Sequence, residues 1–272
     1  MPAALIVSSL VSASRIGGVV QQLTLSRLEY DPVLAPTVMF GRSPALGGVG
    51  LPTPAADFER MLAEIEADGA FEAADIVLLG YFASPEQVGI AARAAERVRA
   101  ASPGAVVVVD PIMGDEPKGL YVAEAVAEAI AARLVPIADW VTPNAWELAR
   151  LSGRPVVDVD SAALAAQALG RPVLATSIPV GESEIGMLLH DDEGMSLYAH
   201  RRADRAPNGL GDLSAAVFAA GLAERLGAPE AARWAARAAL KAVDAGIADL
   251  PVAALGECLL APDAGLRIEA LS

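Results

Sequence analysis

The stretch PNGLGDLSAAVFAAGLAERLGA, residues 207–228, places one acid, Asp212, between a glycine-bracketed turn and a long apolar run. A carboxylate costs little at a helix N-terminus, where the dipole favours it. Gly209 and Gly211 let the backbone turn tightly and bring N–H groups against a bulky anion, for which a phosphate is the candidate. Other segments carry polar groups that a core does not need. They are Ser8 and Ser9, the run DPIMGD (110–115), the run TPNAWE (142–147), and Thr176 with Ser177. Asp110, Asp115 and Glu147 could hold a metal through water, because Mg2+ prefers oxygen ligands and keeps much of its hydration. Taken singly, each segment has a plainer reading. Asp-Pro is a common turn, and Thr142 or Asn144 with Glu147 is a helix start.

The surrounding elements would bring these residues together. Strand-type runs at 5–11, 75–80, 105–110, 139–142, 172–177, 185–190 and 195–200 alternate with helical patterns at 17–29, 57–69, 85–101, 120–134 and 212–249, the last broken near 227–229. Ser84 is a candidate N-cap, with Pro85 at the first helical position. AVVVVD is a continuous apolar run, as in a fully buried parallel strand. The runs 185–190 and 195–200, joined by DDEG, read as a hairpin. The alternation predicts an α/β fold, a mostly parallel sheet with helices on both faces, formed as one domain over 1–272. In such sheets ligands bind beyond the carboxyl ends of the strands, where the polar segments fall.

The 272 residues carry 34 acids against 20 bases, a formal charge of −14, with no basic stripe, so a nucleic-acid partner is not expected. Apolar residues make up 54 %, enough for a sizeable core. One cysteine excludes an internal disulfide framework, and two histidines are too few for a His-rich metal site. The N-terminus lacks a basic n-region, and its apolar run is too short for a signal peptide or membrane span, so a soluble cytoplasmic protein with no membrane partner is expected. The run HRRADR (200–205) reads as a solvated face.

In order, DPIMGD, KGLYV (118–122), TPNAWEL, ATSIP (175–179) and PNGLGD resemble the pyridoxal kinases of the ribokinase-like superfamily, over nearly the whole chain. The resemblance implies a three-layer ribokinase-like sandwich that transfers a phosphoryl group from ATP to the primary hydroxymethyl of pyridoxal. Asp212 would be the general base, and the N–H groups of Gly209, Leu210 and Gly211 the anion hole. Asp110 and Glu147 would organise Mg2+ through water, with Asp115 and Asn144 supporting the network. Thr142, Thr176 and Ser177 would contact the nucleotide phosphates, with Tyr121 near them. Ser9 would approach the pyridine ring and Tyr81 pack against it. The resemblance further implies a homodimer and allows a monovalent cation such as K+.

The sequence departs from that pattern in places. Leu210 stands where many members have Thr, which keeps the backbone hole and loses a hydroxyl. FGRSPAL (40–46) replaces the usual Phe-Ser-Asn-His-Thr, so Pro44 offers no hydroxyl to the substrate, and Arg15 and Arg42 are additions near the expected pocket. Two alternatives remain open: a hydroxymethylpyrimidine or other small-alcohol kinase, and an idle family member that binds a vitamer or nucleotide.

Overall fold

The computed structural model describes residues 2–245, 250 and 252–271. In chain order the strands are β1 (Ala3–Val11), β2 (Asp31–Phe40), β3 (Gly50–Pro52), β4 (Ala74–Leu79), β5 (Val106–Val109), β6 (Gly114–Asp115), β7 (Gly119–Leu120), β8 (Trp140–Val141), β9 (Val173–Val180), β10 (Glu184–Asp191), β11 (Gly194–Arg201) and β12 (Arg267–Leu271). The helices are α1 (Gly18–Arg27), α2 (Ala55–Ala67), α3 (Ala70–Ala73), α4 (Pro85–Ala101), α5 (Glu124–Ala129), α6 (Ala145–Ser152), α7 (Val159–Leu169), α8 (Leu210–Ala223), α9 (Ala228–Asp244) and α10 (Val252–Leu259). Residues 246–249, the tail of the expected helical stretch, lie outside the described residues. Among the described residues no helix is long and apolar enough to cross a membrane.

Ten strands form one sheet in the order β12-β11-β10-β9-β8-β5-β4-β1-β2-β3. The pairings β2/β1, β1/β4, β4/β5, β5/β8 and β8/β9 are parallel. The β10–β11 hairpin, β12 and β3 add antiparallel edges. Strand residues alternate between the two faces, the period-2 rule of a pleated strand. Leu5, Val7, Val77, Leu79, Val107 and Val109 pack with α2 and α4. Ala4, Ile6, Ile76, Leu78 and Val108 pack on the other face with α8. Burial on both faces explains why β5 reads Val-Val-Val-Val. The chain lays β2 on one side of β1 and β4 on the other, so the strand order reverses beside β1. The crevice at the carboxyl ends of β1 and β4 is therefore where a ligand is expected.

Two expectations from the sequence are corrected. The helix expected over 120–134 begins only at Glu124. Leu120 instead pairs with Gly114 in a small antiparallel ribbon, and the Tyr121 N–H donates to Met113 O at 2.7 Å. Residues 31–40, which the alternation had left without an element, form β2. Pro32 and Pro36 mask it locally. They are tolerated because β3 pairs only with Val38, Met39 and Phe40, which leaves 31–36 as an edge.

Candidate active site

The loops after β4, β5 and β8 and the N-terminus of α8 meet along one rim of the sheet. Two further pieces arise inside strands, where the sequence had placed strand ends. Between Ser8 and Ser9 the β1–β2 register slips, so that Thr37 is an extra residue. Between Ala175 and Ile178 of β9, two residues, Thr176 and Ser177, oppose the single Met187 of β10. Bulges re-aim side chains next to binding sites, and Ser177 adopts φ 58°, rare for a residue with a Cβ.

Asp212 is the third residue of α8 and does not cap it, since the N-cap is Gly209. Its Oδ2 instead accepts from the Gly17 N–H at 2.8 Å, at the N-terminus of α1, while Oδ1 is buried with no hydrogen-bond partner. One oxygen is held and the other is unpartnered. Gly17 has φ 61°, and a Cβ on it would lie 2.2 Å from Ser9 Oγ. Ser9 thus abuts the residue that holds Asp212. Gly209 has φ 89°, and a Cβ there would lie 2.5 Å from Arg15 O. Gly211 is different: its φ is ordinary and a Cβ would meet nothing within 4 Å beyond its chain neighbours and its own helix backbone. Only Gly209 serves the turn, and Gly211 leaves open space. The first-turn N–H groups of α8 have no partner in their own helix, as at any helix start. Of that turn, Leu210 and Gly211 line a cavity of about 930 Å3 with Asp115, Asn144, Thr176 and Ser177, and Met187, Ala239 and Val243 form its apolar wall.

Glu147 and Asn144 form a capping box at α6. Glu147 Oε1 also accepts from Met113 N–H at 2.7 Å, and Asn144 Nδ2 donates to Gly114 O at 2.8 Å. This pair therefore fastens the DPIMGD loop to α6. Thr142, at the end of β8, donates its N–H to Val109 O, and its hydroxyl is buried without a partner. Asp115 pairs loosely with Lys118 at 3.9 Å, and Lys118 Nζ lies 5.6 Å from the centre of the Tyr121 ring. On the other side of the crevice, Tyr81 is half-buried with its ring edge-on to Phe40 at 6.3 Å. Arg42 is exposed and turns back on its own loop, reaching Gly47 O at 3.4 Å.

The family model described as phosphomethylpyrimidine kinase matches residues 58–251. The chain belongs to this family. It is 37 % identical over 226 residues to the pyridoxine/pyridoxal/pyridoxamine kinase of Bordetella avium, covering 79 % of this chain and 76 % of that one. It is 32 % identical over 220 residues to the pyridoxal kinase PdxY of Corynebacterium diphtheriae, covering 78 % of each. Its fold superposes with a TM-score of 0.90 on the pyridoxal kinase of Leishmania donovani in complex with ADP and pyridoxine, at 24 % identity and 99 % coverage of both chains. The resemblance to pyridoxal kinases and the ribokinase-like fold expected from the motifs are both borne out, and the phosphomethylpyrimidine kinase family member described here is a kinase.

In this member, burial raises the acids of the crevice. Asp212 rises from its ordinary 3.8 to about 6 and Glu147 from 4.5 to about 7, in each case mainly by burial. Asp110 is raised well above its ordinary value, first by burial and then by the charges of Asp212 and Glu147. The nearby Thr142 hydroxyl opposes the shift weakly. Asp110 Oδ2 and Asp115 Oδ1 are buried without partners. Among the described residues, no group of three or more His, Cys, Asp or Glu side chains is arranged to grip an ion directly. The orphaned oxygens of Asp110 and Asp115 could take a Mg2+ held through its own water, whereas both oxygens of Glu147, expected to share that role, already accept from the N–H groups of Met113, Gly114 and Asn144.

A raised carboxylate pKa has a definite sign for stability. The folded state binds protons that the unfolded chain has already released, so stability falls as pH rises through the folded-state value. Asp110→Asn is therefore expected to melt a few degrees above the wild type near pH 8, a gain that shrinks toward about pH 4. Differential scanning fluorimetry at the two pH values, without metal, reads this directly. A variant less stable than the wild type near pH 8 would contradict the assignment.

Sequence reasoning had missed Gly17 and Thr37. The only local signals were a glycine pair, read as a helix start, and a threonine after a proline.

Proposed function

We propose that this chain transfers the γ-phosphoryl of ATP to the primary hydroxymethyl of pyridoxal, giving pyridoxal 5′-phosphate and ADP. The observation that carries the reading is Asp212. It is a buried carboxylate with one oxygen fixed by Gly17 and the other unpartnered, next in sequence to Leu210 and Gly211, which line a cavity of about 930 Å3. As the alcohol oxygen bonds to the γ-phosphorus, its proton passes to Asp212, and the bond between that phosphorus and the β–γ bridging oxygen breaks. The N–H groups of Gly209, Leu210 and Gly211 donate to the transferring phosphoryl oxygens. Thr142, Thr176 and Ser177 bind the nucleotide phosphates, with Asn144, Asp115 and Tyr121 around them. Ser9 and Tyr81 orient the ring. Bound Mg2+ would supply positive charge to the phosphates beside the buried acids, in a cavity also lined by Arg150 and Arg202.

The second reading kept from the sequence is a hydroxymethylpyrimidine, which shares the pyrimidine ring named in the description of the matched family. One assay separates the two: purified protein with MgATP and, in turn, pyridoxal, pyridoxine, pyridoxamine and hydroxymethylpyrimidine, with product read by mass. Phosphorylated pyridoxal is expected. Product from the pyrimidine alone would replace the proposal with its alternative, and tight vitamer binding with no product would mark a sensor. We further propose a homodimer, for which a solution mass of twice 27.8 kDa is expected.

A further inference from the structure

Gln87 is wholly buried, in the first turn of α4. Its spacing from the N-cap Ser84 is that of a capping box, and Ser84 Oγ indeed accepts from the Gln87 N–H. The side chain does far more than a cap requires. Gln87 Oε1 accepts from the Ala83 N–H at 2.9 Å, while Nε2 donates to Thr37 O at 2.8 Å and to Thr53 O at 2.7 Å. One amide thereby joins the segment after β4, the extra residue of the β2 bulge, and the segment after β3. The two carbonyl partners lie 50 and 34 residues away in sequence. The same bulge residue reaches Tyr81 from the other side, because Thr37 Oγ1 donates to Tyr81 O at 2.6 Å. Ser8 Oγ accepts from the Tyr81 N–H at 3.3 Å. Thr53 Oγ1 in turn donates to Pro36 O at 2.7 Å.

We propose that Gln87 is a positioning residue for the alcohol substrate. It holds the Tyr81 segment and the β2 bulge at a fixed separation and so sets the width of the pocket between Tyr81 and Ser9. The proposal rests on the reading of Tyr81 and Ser9 as the substrate side of the crevice. The nucleotide side, built from the loops after β5 and β8 and from α8, makes no hydrogen bond with Gln87. The two substrates should therefore respond differently to its loss.

Gln87→Met keeps the length and burial of the side chain and removes all three hydrogen bonds. Steady-state kinetics with pyridoxal and MgATP should show KM for pyridoxal raised about tenfold, the size of one to two lost hydrogen bonds, with kcat and KM for ATP nearly unchanged. Hydrogen exchange at the Ala83 amide should be at least about tenfold faster, because its acceptor is gone. Thr37→Val, which removes only the bond to Tyr81 O, should shift KM for pyridoxal in the same direction and serves if Gln87→Met does not fold. An unchanged KM for pyridoxal, or equal losses for both substrates, would overturn the proposal and leave Gln87 a structural amide. If the wild type makes no product from pyridoxal, the functional reading fails. Exchange at Ala83 then decides the role of Gln87 alone, with unchanged exchange overturning it.

Discussion

Asp212→Asn is expected to fold like the wild type and lose roughly 10³-fold in kcat, with KM for ATP little changed. The size of the loss follows from the role, because an asparagine keeps the shape and can still accept from Gly17 but takes up no proton. Stability supplies the control. Burial raises the Asp212 pKa to about 6, so the folded protein pays to ionise this group at neutral pH. The variant should then melt no lower than the wild type near pH 8, and higher if nothing else shifts. Product formation by mass, with melting curves at two pH values, tests both halves. A folded variant with wild-type turnover would remove Asp212 from the chemistry. The wild-type kcat/KM should also climb with pH through the range near 6 and then level, as a base with that pKa in the free enzyme requires.

Gly211→Ala should separate catalysis from architecture as clearly. An alanine here has an ordinary φ and meets nothing within 4 Å beyond its chain neighbours and its own helix backbone. Helix propensity alone makes the change neutral to about 1 kcal/mol stabilising. Gly211 nevertheless lines the cavity, and on the proposed reading an added methyl there crowds the space assigned to the phosphates. A displacement of even about 1 Å at a reacting group costs on the order of 10²-fold, so kcat/KM for ATP should fall by about that factor while the melting temperature holds or rises. Wild-type kinetics in this variant would show that the phosphates lie elsewhere. Gly209→Ala makes a useful contrast, because φ 89° and the Arg15 carbonyl at 2.5 Å should destabilise the fold itself.

What could be read from the sequence was local. The Val-Val-Val-Val run announces a strand buried on both faces, Ser84 with Pro85 announces the start of α4, and DDEG announces the hairpin. The polar segments at strand ends could be read for the same reason, since nothing in a core explains them. What could not be read depends on partners far away in the chain. β2 is hidden by Pro32 and Pro36, which only an edge position tolerates. The onset of the helix after DPIMGD is displaced by a hairpin between Gly114 and Leu120 that alanine-rich periodicity does not reveal. The bulges at Thr37 and at Thr176 with Ser177 are register shifts against neighbouring strands, invisible within either strand alone. Gln87 looks like an ordinary capping residue until the two carbonyls that receive its amide are seen.

The bond from Gly17 to Asp212 spans 195 residues and joins the first helix to the helix that closes the site. A ribosome delivers the N-terminal part of the chain first. The strand that carries Ser9 and the strand ends at Tyr81, Asp110 and Thr142 are therefore synthesised well before Asp212. If Asp212 is the base proposed, phosphoryl transfer cannot begin on a nascent chain until α8 docks against α1. On the proposed reading, a chain that ends before α8 would lack its base however complete the rest of the sheet.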